Sequence, residues 1–213
     1  MKSYLINTPR LVKLFFRNWV WSFSEKEKVI YLTFDDGPTP EVTEWTLNEL
    51  NKYNAKATFF CIGKNVAQHP AIFQKIVDNE HSVGNHTNNH LNGYKTALTT
   101  YLENIALAEK EFHNINNTQN SKLFRPPYGK LRFSQSRKIR KKGYKIIMWD
   151  VLSADFDTTI TQEKCLENVI KYTDKGSIIV FHDSIKASKN LYFTLPKILE
   201  YYSEKGYVFK SIC

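Results

Sequence analysis

A chain of 213 residues has room for one domain or two small ones, and buries about 70% of its unfolded surface, so it folds without a metal or disulfide staple. With 42% hydrophobic and 24% charged residues and only 8 Gly and 7 Pro, it is neither disordered nor collagen-like nor of low complexity. The net charge of +9 suits an anionic partner (nucleic acid, a membrane surface or an envelope polymer), or solubility alone.

The basic excess is concentrated at two places. The first 24 residues hold Lys2, Arg10, Lys13 and Arg17 and no acid; Ser121 to Trp149 holds ten Lys and Arg and no acid. The apolar stretch 11–20 is broken by Lys13, Arg17 and Asn18 and no small-residue cleavage site follows, so no cleavable signal peptide is apparent. At helical period 11–23 is suited to a membrane surface; the alternative is an N-terminal segment packed on the body of the domain, which we favour. Cys61, Cys165 and Cys213 are far apart with no C-x-x-C pair, which suggests neither a disulfide framework nor a zinc ribbon. There is no apolar run of about 18 residues to span a membrane.

After the N-terminal segment, two hydrophobic periods alternate. Strands are predicted over 29–34, 57–62, 82–84, 144–149, 177–181 and 207–210. Helices are predicted over 41–53, 70–80, 99–112, 134–142, 161–172 and 191–204, and a polar surface loop over 114–121. Pro70 begins its helix where a missing N–H does no harm, and Gly143 and Gly206 stop theirs. Strands alternating with helices of this length predict βαβ units and a mostly parallel sheet. The pattern leaves open whether that sheet closes into a small barrel.

Ligands of parallel α/β folds lie at the carboxyl ends of the strands. Those ends carry Asp35-Asp36-Gly37-Pro38, then His86 to His90, then Arg125-Pro126-Pro127-Tyr128-Gly129 after Leu123-Phe124, then Asp150 with Asp155-Phe156, then His182-Asp183. Five carboxylates, three histidines and an arginine at successive strand ends are hard to treat as chance. His86 and His90, four apart, share one metal if the segment takes a helical turn, and an Asp completes a two-histidine, one-carboxylate set. Neighbouring Asp35 and Asp36 point in different directions after a strand, so one suits the metal and the other proton transfer. A bound divalent cation lowers the pKa of water from about 15.7 to about 7. His69 and His81 have no such company and read as structural or exposed.

These five segments, in this order, resemble the motifs of the NodB-homology polysaccharide deacetylases, a carbohydrate esterase family. The first is Thr33 to Pro38, the second His86-Thr87-Asn88-Asn89-His90, the third Arg125 to Gly129, the fourth Trp149-Asp150 through Asp155-Phe156, and the fifth Ile179 to Asp183. The resemblance spans about residues 28–210. It implies an α/β fold, a deformed, incomplete (β/α) barrel of about seven βα units, with residues 28–213 the catalytic domain and 1–27 an N-terminal segment packed on it or membrane-proximal. It further implies metal-dependent removal of acetyl groups from the sugars of a peptidoglycan- or chitin-like polymer. Alternatives are an O-acetyl esterase on a xylan-type polysaccharide and a non-catalytic carbohydrate-binding relative.

Carried onto this chain, the pattern makes Asp35 the general base and Asp36, His86 and His90 the ligands of one divalent metal ion. Zinc fits this set best, and cobalt, nickel and manganese fit the same ligands. Arg125 would hold Asp35 ionised. The backbone N–H of Tyr128 would join the metal at the oxyanion, and Asp155 would orient His182, the general acid. Pro126, Trp149 and Phe156 would line the substrate site; family members often have Trp where Phe156 stands, and Leu where Ile179 stands. The expected partner is an acetylated carbohydrate, bound by a monomer, with no nucleic acid. The basic 121–149 segment is open to a membrane or anionic polymer. The expected location is cytoplasmic or membrane-associated, with the cell envelope as alternative.

Overall fold

The central strand is written in seven residues, Val29–Asp35 (β1), six of them buried. Its even-numbered side chains Ile30, Leu32 and Phe34 enter the main apolar core. Thr33 and Asp35, on the opposite face, are both met by the Arg125 guanidinium. The period of two thus assigns one face to stability and the other to a polar interior. In the computed structural model, which describes residues 4–24, 26–116 and 122–213, β1 pairs in parallel with β2 (Thr58–Cys61) on one side and β7 (Ile178–His182) on the other.

The order across the sheet is β5 (Lys145–Ile146), β4 (Leu123–Phe124), β3 (Ser82–Asn85), β2, β1, β7 and β6 (Val151–Leu152), with β8 (Val208–Phe209) beside the start of β1. Every named pairing is parallel. The sheet curls into a half-barrel, the deformed (β/α) barrel expected. Helices α2 (Val42–Lys52), α4 (Pro70–Asp78), α7 (Gln162–Tyr172) and α8 (Ser188–Glu204) cover its outer face, where Leu50, Phe73, Val169, Leu195 and Ile198 meet Phe34, Phe59 and Phe181. A second apolar cluster joins α5 (Leu98–Ile115) and α6 (Phe133–Lys141) to Trp19 and Trp21.

Residues 4–24 run along the body. After the short α1 (Arg10–Phe15), the Trp19 indole N–H donates to Ser136 Oγ at 2.8 Å. Val20 forms a parallel bridge with Ile147, and Asn7 an antiparallel one with Val151. The predicted strand 144–149 is accordingly cut short. Only Lys145–Ile146 is regular strand, and the Met148 N–H turns to the Val20 carbonyl. Two elements escaped the periodicity: α3 (Gly63–Gln68), whose only large apolar residue is Val66, and the two-residue β6. The predicted loop 114–121 begins inside the last turn of α5, and its residues 117–121 lie outside the described residues. His81 is buried and its Nδ1 accepts from the Ala57 N–H.

Gly84 of β3 shows how tightly the interior is filled. A Cβ there would lie 2.4 Å from the Phe60 ring, which is itself fully buried and stacked 4.1 Å from the Arg125 guanidinium. Gly84→Ala is expected to destabilise the fold by about 1–3 kcal/mol through overpacking, read as a lower urea midpoint with an unchanged slope.

Candidate active site

At the carboxyl end of β1 the two adjacent carboxylates part company. Asp35 is the last strand residue, buried, in register with His182 of β7. Asp36 follows at φ 82°, a left-handed conformation that swings its side chain away from the strand direction. The turn is held from three sides. Asn65 Nδ2 donates to the Asp36 carbonyl at 2.7 Å, the Ile62 N–H donates to the Gly37 carbonyl, and the Gly37 N–H donates to Asp183 Oδ1 at 3.0 Å. Position 37 must be glycine, because a Cβ would lie 1.9 Å from Asp183 Oδ2.

Arg125 has no exposed surface. Its Nη1 donates to Asp35 Oδ1 at 2.7 Å and to Thr33 Oγ1 at 2.6 Å, its Nε to the Ile147 carbonyl and its Nη2 to the Met148 carbonyl. A buried charge persists only when so satisfied. Burial alone would raise the Asp35 pKa, but Arg125, with His86 and His182, holds the carboxyl below its ordinary value.

His86 Nδ1 lies 2.8 Å from the Arg125 carbonyl oxygen. A carbonyl only accepts, so Nδ1 carries the proton and Nε2 presents its lone pair to the site. That atom is 3.7 Å from Asp36 Oδ1, and His90 Nε2 is 3.3 Å from the same oxygen. Burial pushes the His86 pKa down to about 4 and lowers that of His90 as well, despite the nearby carboxylates. Asp36 Oδ1 is buried with no hydrogen-bond partner. One ligand atom from each of Asp36, His86 and His90 lies within 4.8 Å of the others. Neutral imidazoles turned toward an orphaned carboxylate oxygen are the donor set of a divalent cation, and the three residues are consistent with one such site.

Opposite stands His182. Its Nδ1 is 2.7 Å from Asp155 Oδ1, and its backbone N–H donates to Asp155 Oδ2 at 2.7 Å. Asp155 has no exposed surface. Burial would depress the His182 pKa, but the charge and hydrogen bond of Asp155, aided by Asp36 and Asp35, raise it to about 9. The imidazole is therefore protonated at neutral pH, and its Nε2–H has no hydrogen-bond partner among the described residues.

These groups face a cavity of about 540 Å³, within the usual range for a small-molecule site. Pro126, Tyr128, Trp149 and Phe156 form its walls. Tyr128, at φ 61°, places its hydroxyl 3.1 Å from His90 Nδ1, and its N–H makes no hydrogen bond to another described residue. Phe156 meets the His182 ring edge-on at 5.0 Å, so the wall keeps an aromatic face there. Asp36, Thr87, His90, Tyr128 and Ala154 are all non-glycine residues at positive φ, and such backbone strain gathers at functional sites.

Of the strand-end carboxylates, Asp35 and Asp36 reach the cavity and Asp155 stands behind His182. Asp150 does not: it turns toward Lys13, Ser177 and Asn7 and anchors the N-terminal segment. Asp183, fully buried, bonds Gly37 and Thr43, and burial raises its pKa to about 8. Sequence reasoning missed Tyr4, which lines the cavity beside Phe156 at 5.4 Å and bonds Asp157. It also missed Lys130 and Lys186 on the wall. A contact between residue 4 and residue 156 leaves no local signal.

The family model for polysaccharide deacetylase matches residues 24–147. The chain belongs to the polysaccharide deacetylase family. It is 32% identical over 193 residues to a peptidoglycan-N-acetylglucosamine deacetylase of Bacillus cereus, covering 90% of each chain. It is 30% identical over 181 residues to chitin deacetylase 2 of Saccharomyces cerevisiae, covering 78% of this chain and 54% of that one. Among solved structures, the Bc1960 peptidoglycan N-acetylglucosamine deacetylase, in complex with 4-naphthalen-1-yl-N-oxidanyl-benzamide, superimposes with a TM-score of 0.88 at 28% identity. That match covers 96% of this chain and 95% of the other. A family defined by polymers of acetylated sugars fits a cavity walled by aromatic rings.

The Arg125–Asp35 pair provides a test independent of any activity. Arg125→Met leaves a buried carboxylate unpaired and is expected to destabilise the fold by about 3–5 kcal/mol. Asp35→Asn in the same background removes the orphaned charge and should recover a large part of that loss. A double-mutant cycle in urea reads the coupling.

Proposed function

We propose that this protein is a metal-dependent hydrolase that removes the acetyl group from N-acetylglucosamine units of peptidoglycan. The observation that carries the reading is the convergence of Asp36 Oδ1, His86 Nε2 and a His90 ring nitrogen between two groups of opposite proton affinity. Asp35 is held ionised by Arg125 and His182 is held protonated by Asp155. One carboxylate ready to accept and one imidazolium ready to donate, on either side of one cavity, is the acid–base pair that amide hydrolysis requires. We take 28–213 as the catalytic unit, with Tyr4 of the 1–27 segment adding to its wall. The relative covering nine-tenths of both chains and the two lysines on the cavity wall favour peptidoglycan over a neutral polymer.

A divalent cation on Asp36, His86 and His90 (zinc by preference, with cobalt, nickel or manganese suited to the same donors) would polarise the acetyl carbonyl and acidify a water. Asp35 takes the proton as the water oxygen attacks the carbonyl carbon. Arg125 keeps the Asp35 carboxyl turned to the cavity throughout. The Tyr128 N–H is free to donate to the developing oxyanion. His182 gives its Nε2 proton to the sugar nitrogen as the C–N bond breaks, leaving acetate and a free amine. Asp155 fixes the His182 tautomer and stabilises its charge.

Two outcomes are expected. Acetate release from peptidoglycan fragments should vanish on treatment with a chelator and return with zinc or cobalt. Asp35→Asn should still bind metal while losing activity by about 10²–10⁴-fold. The pH profile has a calculable sign. His182 must be protonated, so its contribution is complete below its raised pKa and activity is lost as pH rises through about 9. Asp155→Asn removes the charge that raises it and leaves burial to depress it, so the alkaline limb of kcat/KM should move to lower pH. An unmoved limb would take His182 out of the acid role.

A further inference from the structure

The short helix α1 is amphipathic with its larger apolar face turned outward. Val12 and Phe16 pack on the second apolar cluster, and Lys13 pairs with Asp150. Leu11, Leu14 and Phe15, spaced i, i+3 and i+4, remain 68, 62 and 84% exposed. Phe133, at the start of α6, is 77% exposed, and stacks on Phe16 at 5.6 Å with the rings 11° from parallel. Through Phe16, the exposed apolar residues of α1 and of the start of α6 are brought beside one another. Scattered exposed apolar residues are ordinary, but a contiguous patch with a charged rim marks an interaction surface.

Cations gather beside it. Arg10 opens α1 and Arg17 follows it. Arg137 and Lys138 line a groove with Phe133 and Leu98, and Arg140, Lys141 and Lys142 continue along the exposed side of α6. Among the described residues none of these cations is paired with a carboxylate. The sequence holds no acid between residues 1 and 24 or between 122 and 149.

We infer that this face docks on an anionic lipid bilayer. That partner meets both halves of the surface, with headgroup charge for the arginines and lysines and an acyl boundary for Leu11, Leu14, Phe15 and Phe133. A second copy of the chain would offer apolar contact but set one basic rim against another. An anionic wall polymer would match the charge and leave the phenylalanines in water. The inference goes beyond the deacetylase reading and does not depend on it, because none of these residues lines the catalytic cavity.

The test is co-sedimentation of the full chain with vesicles of equal parts phosphatidylglycerol and phosphatidylcholine, beside vesicles of phosphatidylcholine alone. Binding to the mixed vesicles is expected, weakening with added salt, and at least about tenfold tighter than to phosphatidylcholine. The double variant Leu14→Ser/Phe15→Ser and, separately, Phe133→Ser should each weaken it about tenfold or more. The Leu14→Ser/Phe15→Ser variant should keep the wild-type thermal midpoint, since both side chains are exposed. Three results would overturn the inference: no binding to the mixed vesicles, binding that neither apolar variant alters, or a lipid-free dimer that Phe15→Ser abolishes.

Discussion

A guanidinium with no access to water sits on the inner face of a parallel sheet, and much of the site is arranged around keeping it satisfied. Arg125 is bonded by one carboxylate, one hydroxyl and two backbone carbonyls, with an aromatic ring stacked against it. Isolated, such a charge would be prohibitively costly. Its requirements fix where β1, β4 and the chain after β5 stand relative to one another. Its own carbonyl also accepts from His86, so the residue that ionises Asp35 also sets the tautomer of a candidate metal ligand.

The consequence is a division of labour between neighbours in sequence. Asp35 and Asp36 are chemically identical, yet one is tied to a cation and the other is left with an oxygen that finds no donor. The difference lies in backbone geometry. Asp35 ends a strand, and Asp36 takes a left-handed conformation that Asn65, Ile62 and Asp183 together hold in place. A comparable division appears across the cavity, where Asp155 raises His182 while burial depresses His86 and His90. Histidines of one site thereby differ in protonation through their surroundings.

Much of this was legible from residue order. The apolar runs located β1, β2, β3 and β7, and what followed β1, β3 and β7 drew attention to Asp35, Asp36, His86, His90 and His182, because polar residues after buried strands converge at one end of a parallel sheet. What failed to appear was non-local or too short to be periodic. Tyr4 reaches the wall through a bridge between Asn7 and Val151. Asp150, which looked like part of the cluster, is drawn off by Lys13. The helix Gly63–Gln68 carries a single large apolar residue, and the two residues of Val151–Leu152 are defined by their neighbours across the sheet. The outward apolar face of α1 could be seen as hydrophobic but not as outward, since only the packing of Val12 and Phe16 decides which side is covered.

The proposed division of roles, Asp36 on the metal and Asp35 on Arg125, is open to direct observation. Diffraction from cobalt-loaded crystals at the cobalt edge tests it most directly. One strong anomalous peak is expected at about 2.0–2.2 Å from Asp36 Oδ1, His86 Nε2 and a His90 ring nitrogen, with both Asp35 oxygens outside that distance. A peak bonded to Asp35, or one that bypasses Asp36, would contradict it.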